Sequence, residues 1–108
     1  MALDIRTVIK GNVAEITLSG ELTAATRDQF LEELKAVAAY RPSDLVLRVR
    51  ELKFLGSPGV RVLLLIKQQL MPQATIYVIA PQPGPRTVLV ETVIHRSVTI
   101  QDEYPAVV

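Results

Sequence analysis

The stretch that decides the fold is Lys53-Phe54-Leu55-Gly56-Ser57-Pro58-Gly59-Val60. An apolar run typical of a strand ends at Leu55, and the pattern of a helix begins at Val60. Ser57 before Pro58 is a helix start signal, because a serine hydroxyl accepts from a free N–H group of the first turn and proline fits the first helical position. The stretch therefore predicts a strand–turn–helix junction with Ser57 as the N-cap, at the positive end of the helix dipole.

Strands and helices also alternate before this junction. Period-two alternation of apolar and polar residues predicts a hairpin of two strands, at residues 3–9 and 14–18. A helix follows at about residues 24–40, with Thr23 as its predicted N-cap. Residues 45–49 are almost wholly apolar, which predicts a mostly buried strand in the centre of the sheet.

The elements after the junction complete the order β-β-α-β-α-β-α-β. The predicted segments are a helix at 58–70, a strand at 75–80, a proline-rich loop at 81–85, a helix at 86–95 and a short strand at 98–100. Alternation of strands with helices predicts parallel pairings with right-handed crossovers, and the first hairpin adds an antiparallel edge. The side chains predicted to share one core are Leu34, Leu47, Phe54 and Leu63.

Composition narrows the class of protein. A length of 108 residues, 49% of them hydrophobic, predicts one domain spanning residues 1–108. The net charge of +1 and the dispersed basic residues argue against direct binding to nucleic acid. The chain has no cysteine and one histidine, so thiol chemistry is excluded and the usual metal ligands are scarce; no metal or cofactor is expected. No apolar run exceeds five residues, the length of the run at 62–66, which is too short to cross a bilayer, so we expect a cytoplasmic protein without a direct membrane contact.

Catalysis is not expected either. A serine on a strand–turn–helix junction is similar to a nucleophile elbow, but Leu55 stands where G-x-S-x-G needs its first glycine. His95 is isolated at a predicted helix end, where a cation suits the dipole. Neither a phosphate-binding loop nor a dinucleotide glycine fingerprint occurs. The sequence therefore predicts a binding protein rather than an enzyme.

Three segments resemble the STAS domain family, which includes the bacterial anti-sigma factor antagonists. Leu18-Ser19-Gly20-Glu21-Leu22 resembles the family's L-x-G-E-L-D segment, and 45–49 resembles its central strand. Residues 54–60 resemble F-[I/L/M]-D-S-[S/A]-G-[L/V], and the likeness extends over roughly residues 3–100. The resemblance implies an α/β STAS-like fold, with a mixed sheet of four to five strands and helices packed mainly on one face.

The resemblance also implies a function and a site. Antagonists of this family bind a kinase-like, ATP-binding anti-sigma factor and displace the sigma factor, and the kinase then phosphorylates the motif serine and ends binding. By this resemblance Ser57 is the candidate phosphoacceptor. The candidate partner-binding residues are Thr23, Gly56, Pro58, Gly59 and Arg61. The resemblance is also compatible with a phosphatase as a further partner and with a weak homodimer.

Four positions depart from the family pattern. Thr23 and Gly56 stand where the family usually has Asp, Arg48 stands where it has Asp or Asn, and Pro58 replaces a small residue. A partner matched to the usual acidic surface would lose charge complementarity with this chain.

Three other interpretations stay open at this stage. Ser57 is by its spacing alone an ordinary N-cap, worth about 1 kcal/mol. The chain could also serve as a constitutive STAS adaptor or scaffold, for example beside a transporter. A third alternative is a sensor that holds a small anionic ligand at the Ser57 helix end.

Overall fold

The structure is a computed structural model that describes residues 2–104, except for the side chain of Val93. Its elements, in chain order, are β1 (Leu3–Lys10), β2 (Val13–Leu22), α1 (Arg27–Ala38), β3 (Asp44–Leu55), α2 (Ser57–Leu65), β4 (Thr75–Ile79), α3 (Pro83–Glu91) and β5 (Thr99–Gln101). A π-helical turn, Ile66–Leu70, continues α2, and a 3₁₀ turn, Val93–Arg96, follows α3. The order is the one predicted from the sequence.

The five strands form one mixed sheet in the order β1-β2-β3-β4-β5. β1 pairs antiparallel with β2, and the other three pairings are parallel. This sheet confirms the predicted fold class. No helix within residues 2–104 has the length and apolar character that a bilayer span requires.

The helices cover one face of the sheet and form the core with it. Alternate side chains of the central strands, such as Ile16 and Leu47, pack there against Phe30 and Leu34 of α1 and Leu63 of α2. Alternation in the strands and one apolar stripe per helix are enough to produce this layer. The predicted burial of Leu34, Leu47 and Leu63 is confirmed.

The prediction that Phe54 belongs to the core is wrong, because its side chain is 50% exposed. β3 does not stop near Val49 but runs on to Leu55, and its register against β2 shifts twice along this extension. Each shift changes which side chains face the helices. Leu52 and Leu55 therefore take the interior positions.

The predicted N-cap at Ser57 is wrong, and the predicted N-cap at Thr23 holds only for the turn that precedes α1. α1 begins at Arg27 rather than next to Thr23, and the residue before it is Thr26. Ser57 is the first residue of α2, with Gly56 as its N-cap, and no side chain caps this helix by a hydrogen bond. Ser57 and Pro58 thus begin the helix as expected, but each lies one position later in it than predicted: Ser57 is the first helical residue instead of the N-cap.

The third helix starts earlier than predicted. α3 begins at Pro83, within the segment predicted to be a loop, and Pro83 and Pro85 both lie in its first turn. Proline suits this turn, since the N–H groups that it lacks would have no partner within the helix.

Candidate partner-binding site

Two loops meet where β2 and β3 end. Leu22 pairs with Leu55 in the parallel ladder, and the Gly56 N–H donates to the Leu22 carbonyl at 2.9 Å. Thr23 therefore leaves the sheet beside the turn that leads to Ser57. The fold brings together two segments that are more than thirty residues apart in the chain.

Ser57 lies on the surface at the start of α2. The N–H groups of Gly59 and Val60 donate to the Gly56 carbonyl at 3.0 and 3.2 Å, which closes the first turn without the serine hydroxyl. The first turn also contains no acidic residue. The hydroxyl is thus exposed at the positive end of a helix dipole that no side-chain charge in that turn offsets.

Gly59 is buried where α2 crosses the ends of β2 and β3. A Cβ at this position would lie 2.7 Å from Leu22 Cγ and 2.7 Å from Leu55 Cδ1, too close for any side chain. The glycine thus permits close packing of the helix on the sheet. This burial argues against a direct contact of Gly59 with a partner.

Gly56 has an extended backbone that any residue can adopt. A Cβ built there lies 3.2 Å from Phe54 Cε2 and 3.6 Å from the Leu22 carbonyl oxygen. The Phe54 ring therefore lies against the turn, in the space beside the position where the family usually has Asp. A side chain at 56 would require this ring to shift by a few tenths of an ångström.

Thr23 is half-buried, and its polar groups organise its own loop. Its hydroxyl accepts from the Ala25 N–H at 3.1 Å, and its N–H donates to the Thr26 hydroxyl at 2.9 Å. The Thr26 hydroxyl in turn donates to the Glu21 carbonyl at 2.8 Å, which ties the start of α1 to the end of β2. Thr23 thus makes the hydrogen bonds of an N-cap on the turn at 24–26 that precedes α1, because its carbonyl also accepts from the Arg27 N–H at 2.9 Å.

Arg61 and Phe54 complete the surface around Ser57. Arg61 is exposed four residues after Ser57, a spacing that puts both on one face of α2, while Pro58 is half-buried in the same turn. Sequence reasoning missed Phe54 as a surface residue. Glu51 and Lys53 contain the missed signal, because they are polar where the alternation of Leu47 and Val49 would continue the core.

Arg48 lies away from this surface. It points to the sheet face without helices, where its Nε donates to Glu15 Oε1 at 2.9 Å. The interpretation that groups it with Thr23 and Gly56 around the partner surface is therefore wrong. A cavity of about 480 Å³ on this face is lined by Arg48 and Arg50 but also by Glu51, Asp102 and Glu103. This mixed charge does not favour an anion.

Tyr104 and His95 belong to other contacts. Tyr104 donates a short hydrogen bond to Asp44 Oδ2, and its ring meets Tyr77 edge-on with the centroids 5.0 Å apart. The hydrogen bond, and after it burial, raises the pKa of Tyr104 to about 12. His95 Nδ1 donates to the Thr92 carbonyl within its own 3₁₀ turn.

Comparisons with known proteins identify the family of this chain and agree with its fold. A family model described as STAS domain matches residues 4–106. STAS domains are in general binding modules without enzymatic activity. A sequence search of the curated proteins finds no match.

Solved structures share the fold at low sequence identity. An anti-sigma factor antagonist from Mycobacterium paratuberculosis is 22% identical, with a TM-score of 0.86 over 94% of this chain and 87% of that chain. The Bacillus cell fate determinant SpoIIAA in its phosphorylated form is 18% identical, with a TM-score of 0.68 over 92% and 90%. A sulfate transporter family protein from Wolinella succinogenes is 14% identical, with a TM-score of 0.73 over 89% and 81%. These likenesses show the fold.

Proposed function

Because the chain belongs to the STAS domain family, we propose that it is a cytoplasmic regulatory binding module that acts as an anti-sigma factor antagonist. Ser57 carries the proposal. It is exposed at the first position of α2, within the Phe-x-x-Ser-x-Gly spacing that positions the phosphoacceptor in antagonists of this family. Structures of such antagonists have the same fold, and one of these antagonists, SpoIIAA, has been solved in both unphosphorylated and phosphorylated forms.

The switch would act through charge. In the unmodified state a kinase-like, ATP-binding anti-sigma factor docks over Thr23, Gly56, Pro58 and Arg61. A phosphate on Ser57 adds nearly two negative charges at a helix N-terminus, which the dipole tolerates within the fold. In the docked complex the same charge must be desolvated against a closely packed partner, at a cost of roughly 1–3 kcal/mol. Binding then ends while the domain stays folded.

The native partner should be adapted to this chain's own residues. With Thr23 and Gly56 in place of Asp, the chain offers less negative charge than an ordinary antagonist. We expect the double variant Thr23→Asp, Gly56→Asp to gain affinity for an ordinary family kinase and to lose affinity for the native partner. Titration calorimetry with both kinases measures the two changes, and equal affinities of variant and wild type would contradict the charge argument.

A constitutive adaptor role is the second candidate. It is favoured by the shared fold of the sulfate transporter family protein and by the absence of acid beside Ser57. This role requires neither phosphate on Ser57 nor a kinase, and it predicts a contact surface that Ser57→Asp leaves undisturbed.

The test is recovery of the tagged chain from its native host, with mass spectrometry of the copurifying proteins and phosphopeptide mapping of Ser57. The antagonist role predicts a kinase-domain protein in the eluate, phosphate on Ser57, and loss of the kinase with Ser57→Asp but not with Ser57→Ala. Ser43→Asp is the matched control, since Ser43 is an exposed serine beside the opposite end of β3. Unmodified Ser57 together with copurifying transporter subunits would replace the antagonist role by the adaptor role.

A further inference from the structure

An aromatic side chain lies unused beside Ser57. Phe54 is 50% exposed, and its ring rests against the turn that begins α2, 3.2 Å from the position of a Cβ on Gly56. The other large apolar side chains found exposed in the described part of the chain are Val8, Tyr40 and Val90. Phe54 alone among these four lies at the junction that carries the candidate phosphoacceptor.

A free cation, Arg61, lies one helical turn after Ser57 on α2. Arg61 is exposed, and the ion pairs found within residues 2–104 do not include it. Residues 52–90 contain no Asp or Glu, so α2 has no acid of its own to pair with this guanidinium. The acid nearest in sheet register is Glu21, which is half-buried and pairs with Phe54 on the strand side of the junction.

We infer that Phe54 and Arg61, which flank Ser57, bind a partner protein through an apolar pocket edged by a carboxylate, and that a phosphate on Ser57 cancels the Arg61 charge. This rests on the proposed function, in which Ser57 is the switch. Aromatic side chains, Phe among them, and arginine are enriched in protein interfaces relative to the rest of the surface. Charge complementarity selects the edge of the pocket, because Arg61 needs a negative partner and the helix supplies none.

The helix spacing explains how the phosphate would act on Arg61. Side chains at positions i and i+4 of a helix are neighbours, and a phosphoserine oxygen accepts strong charge-assisted hydrogen bonds from a guanidinium. In the phosphorylated chain Arg61 would pair with Ser57 of its own helix and would no longer reach the partner's carboxylate. The modification then removes one binding determinant as well as adding negative charge.

The first experiment measures binding to the purified kinase-domain protein that copurifies with the chain. Phe54→Ala and Arg61→Gln are each expected to weaken binding about ten- to a hundredfold. The matched controls, Tyr40→Ala and Lys10→Gln, are expected to change it less than about twofold. Tyr40 is a more exposed aromatic residue after α1, and Lys10 is an exposed cation at the end of β1 that lies opposite Val13, far along the ladder from Leu22. Unchanged affinity of either Phe54→Ala or Arg61→Gln would overturn the inference.

The second experiment locates the carboxylate. The Arg61→Lys variant keeps the charge and adds an amine that a carbodiimide couples to a touching Asp or Glu. Cross-linking to an acidic residue of the purified kinase, lost when Ser57 is phosphorylated, supports the inference. No cross-link in a complex that still forms would overturn it.

The third experiment needs no partner. Phosphoserine is installed at position 57, and phosphorus NMR follows the second ionisation of the phosphate in wild type, in Arg61→Gln and in Lys10→Gln. A higher phosphate pKa in Arg61→Gln alone supports the pairing, and identical titrations in all three proteins refute it. If Ser57 is never modified in the host, the proposed switch fails whatever this titration gives. If Ser57 is modified and Arg61→Gln changes neither binding nor titration, the inference fails by itself.

Discussion

The two ends of β3 differ in how their polar and aromatic groups find partners. At the start of the strand, Asp44 accepts from the Tyr104 hydroxyl, Tyr104 packs on Tyr77, and the Ser43 N–H donates to the Asn12 carbonyl. At the end of the strand, Phe54 is half-exposed and the Ser57 hydroxyl caps nothing. Groups with partners inside the chain contribute to its stability. Groups without them form a surface that is free for another molecule.

The two phenylalanines of the chain give the largest contrast. Phe30 is fully buried in α1, so Phe30→Ala should lose about 3–5 kcal/mol of unfolding free energy through lost contacts and a cavity. Phe54→Ala should lose less than about 1 kcal/mol, since much of its ring already meets water. Denaturant unfolding of both variants measures the difference. Comparable losses would mean that Phe54 belongs to the core after all and that the end of β3 is not an open surface.

Two glycines test which part of the junction is packing rather than binding surface. Gly59→Ala places a methyl group 2.7 Å from Leu22 and Leu55, and we expect a loss of about 1–3 kcal/mol. Gly84 in α3 is the matched control: a Cβ there meets nothing within 4 Å apart from its chain neighbours, and the Pro85 ring that follows offsets the gain in helix propensity, so Gly84→Ala should change the unfolding free energy by less than about 1 kcal/mol. Thermal unfolding compares the pair. If both variants are equally stable, the contact of α2 with the ends of β2 and β3 is looser than described.

Ser57 separates stability from binding. Ser57→Ala should change the unfolding free energy by less than about 0.5 kcal/mol, because no cap hydrogen bond is lost. Ser57→Asp should gain about 0.3–1 kcal/mol from the helix dipole while it weakens partner binding by roughly 1–3 kcal/mol. Chemical denaturation and calorimetry on the same samples give both quantities. A loss near 1 kcal/mol in Ser57→Ala would restore the N-cap role that its spacing suggests.

What could be predicted from the sequence follows the same division. The element order and the core of Leu34, Leu47 and Leu63 depend on local alternation and on turn residues, which the sequence displays directly. The exposure of Phe54 depends on two register shifts between β2 and β3, and such shifts arise from pairing between distant segments.

The positions around Ser57 were predicted less completely for a similar reason. Thr23 and Ser57 are good capping residues, but whether a cap forms depends on where the helix begins within one or two residues. Here α1 starts at Arg27 and α2 starts at Ser57 itself. The motif thus identified the junction, and the structure decided which of its side chains face solvent.

The contact at the start of β3, where Tyr104 donates to Asp44, should make the stability of the fold depend on pH in the alkaline range. The pKa of Tyr104 is raised from 10.0 to about 12 in the folded chain, first by its hydrogen bond to Asp44. Below pH 10 both states keep the proton, and the contribution of this contact to stability is fully present. Between about pH 10 and 12 the unfolded chain releases the proton while the folded chain holds it, so the contribution falls as pH rises.

The measurement of this last effect is a difference between variants, since other groups also titrate in alkali. Unfolding free energy is followed through the window from pH 9 to about pH 12 for wild type and for Tyr104→Phe, with Tyr40→Phe as the control for a tyrosine outside this contact. Wild type should lose more stability than Tyr104→Phe, and Asp44→Asn should lower the pKa of Tyr104 in an ultraviolet titration. This difference between wild type and Tyr104→Phe should be smaller than the effects of the phenylalanine, glycine and Ser57 variants, because Tyr104 is only half-buried and water screens its contact. Parallel curves for wild type and Tyr104→Phe would mean that the start of β3 is no better closed than its end, and the contrast between the two ends would then rest on Phe54 and Ser57 alone.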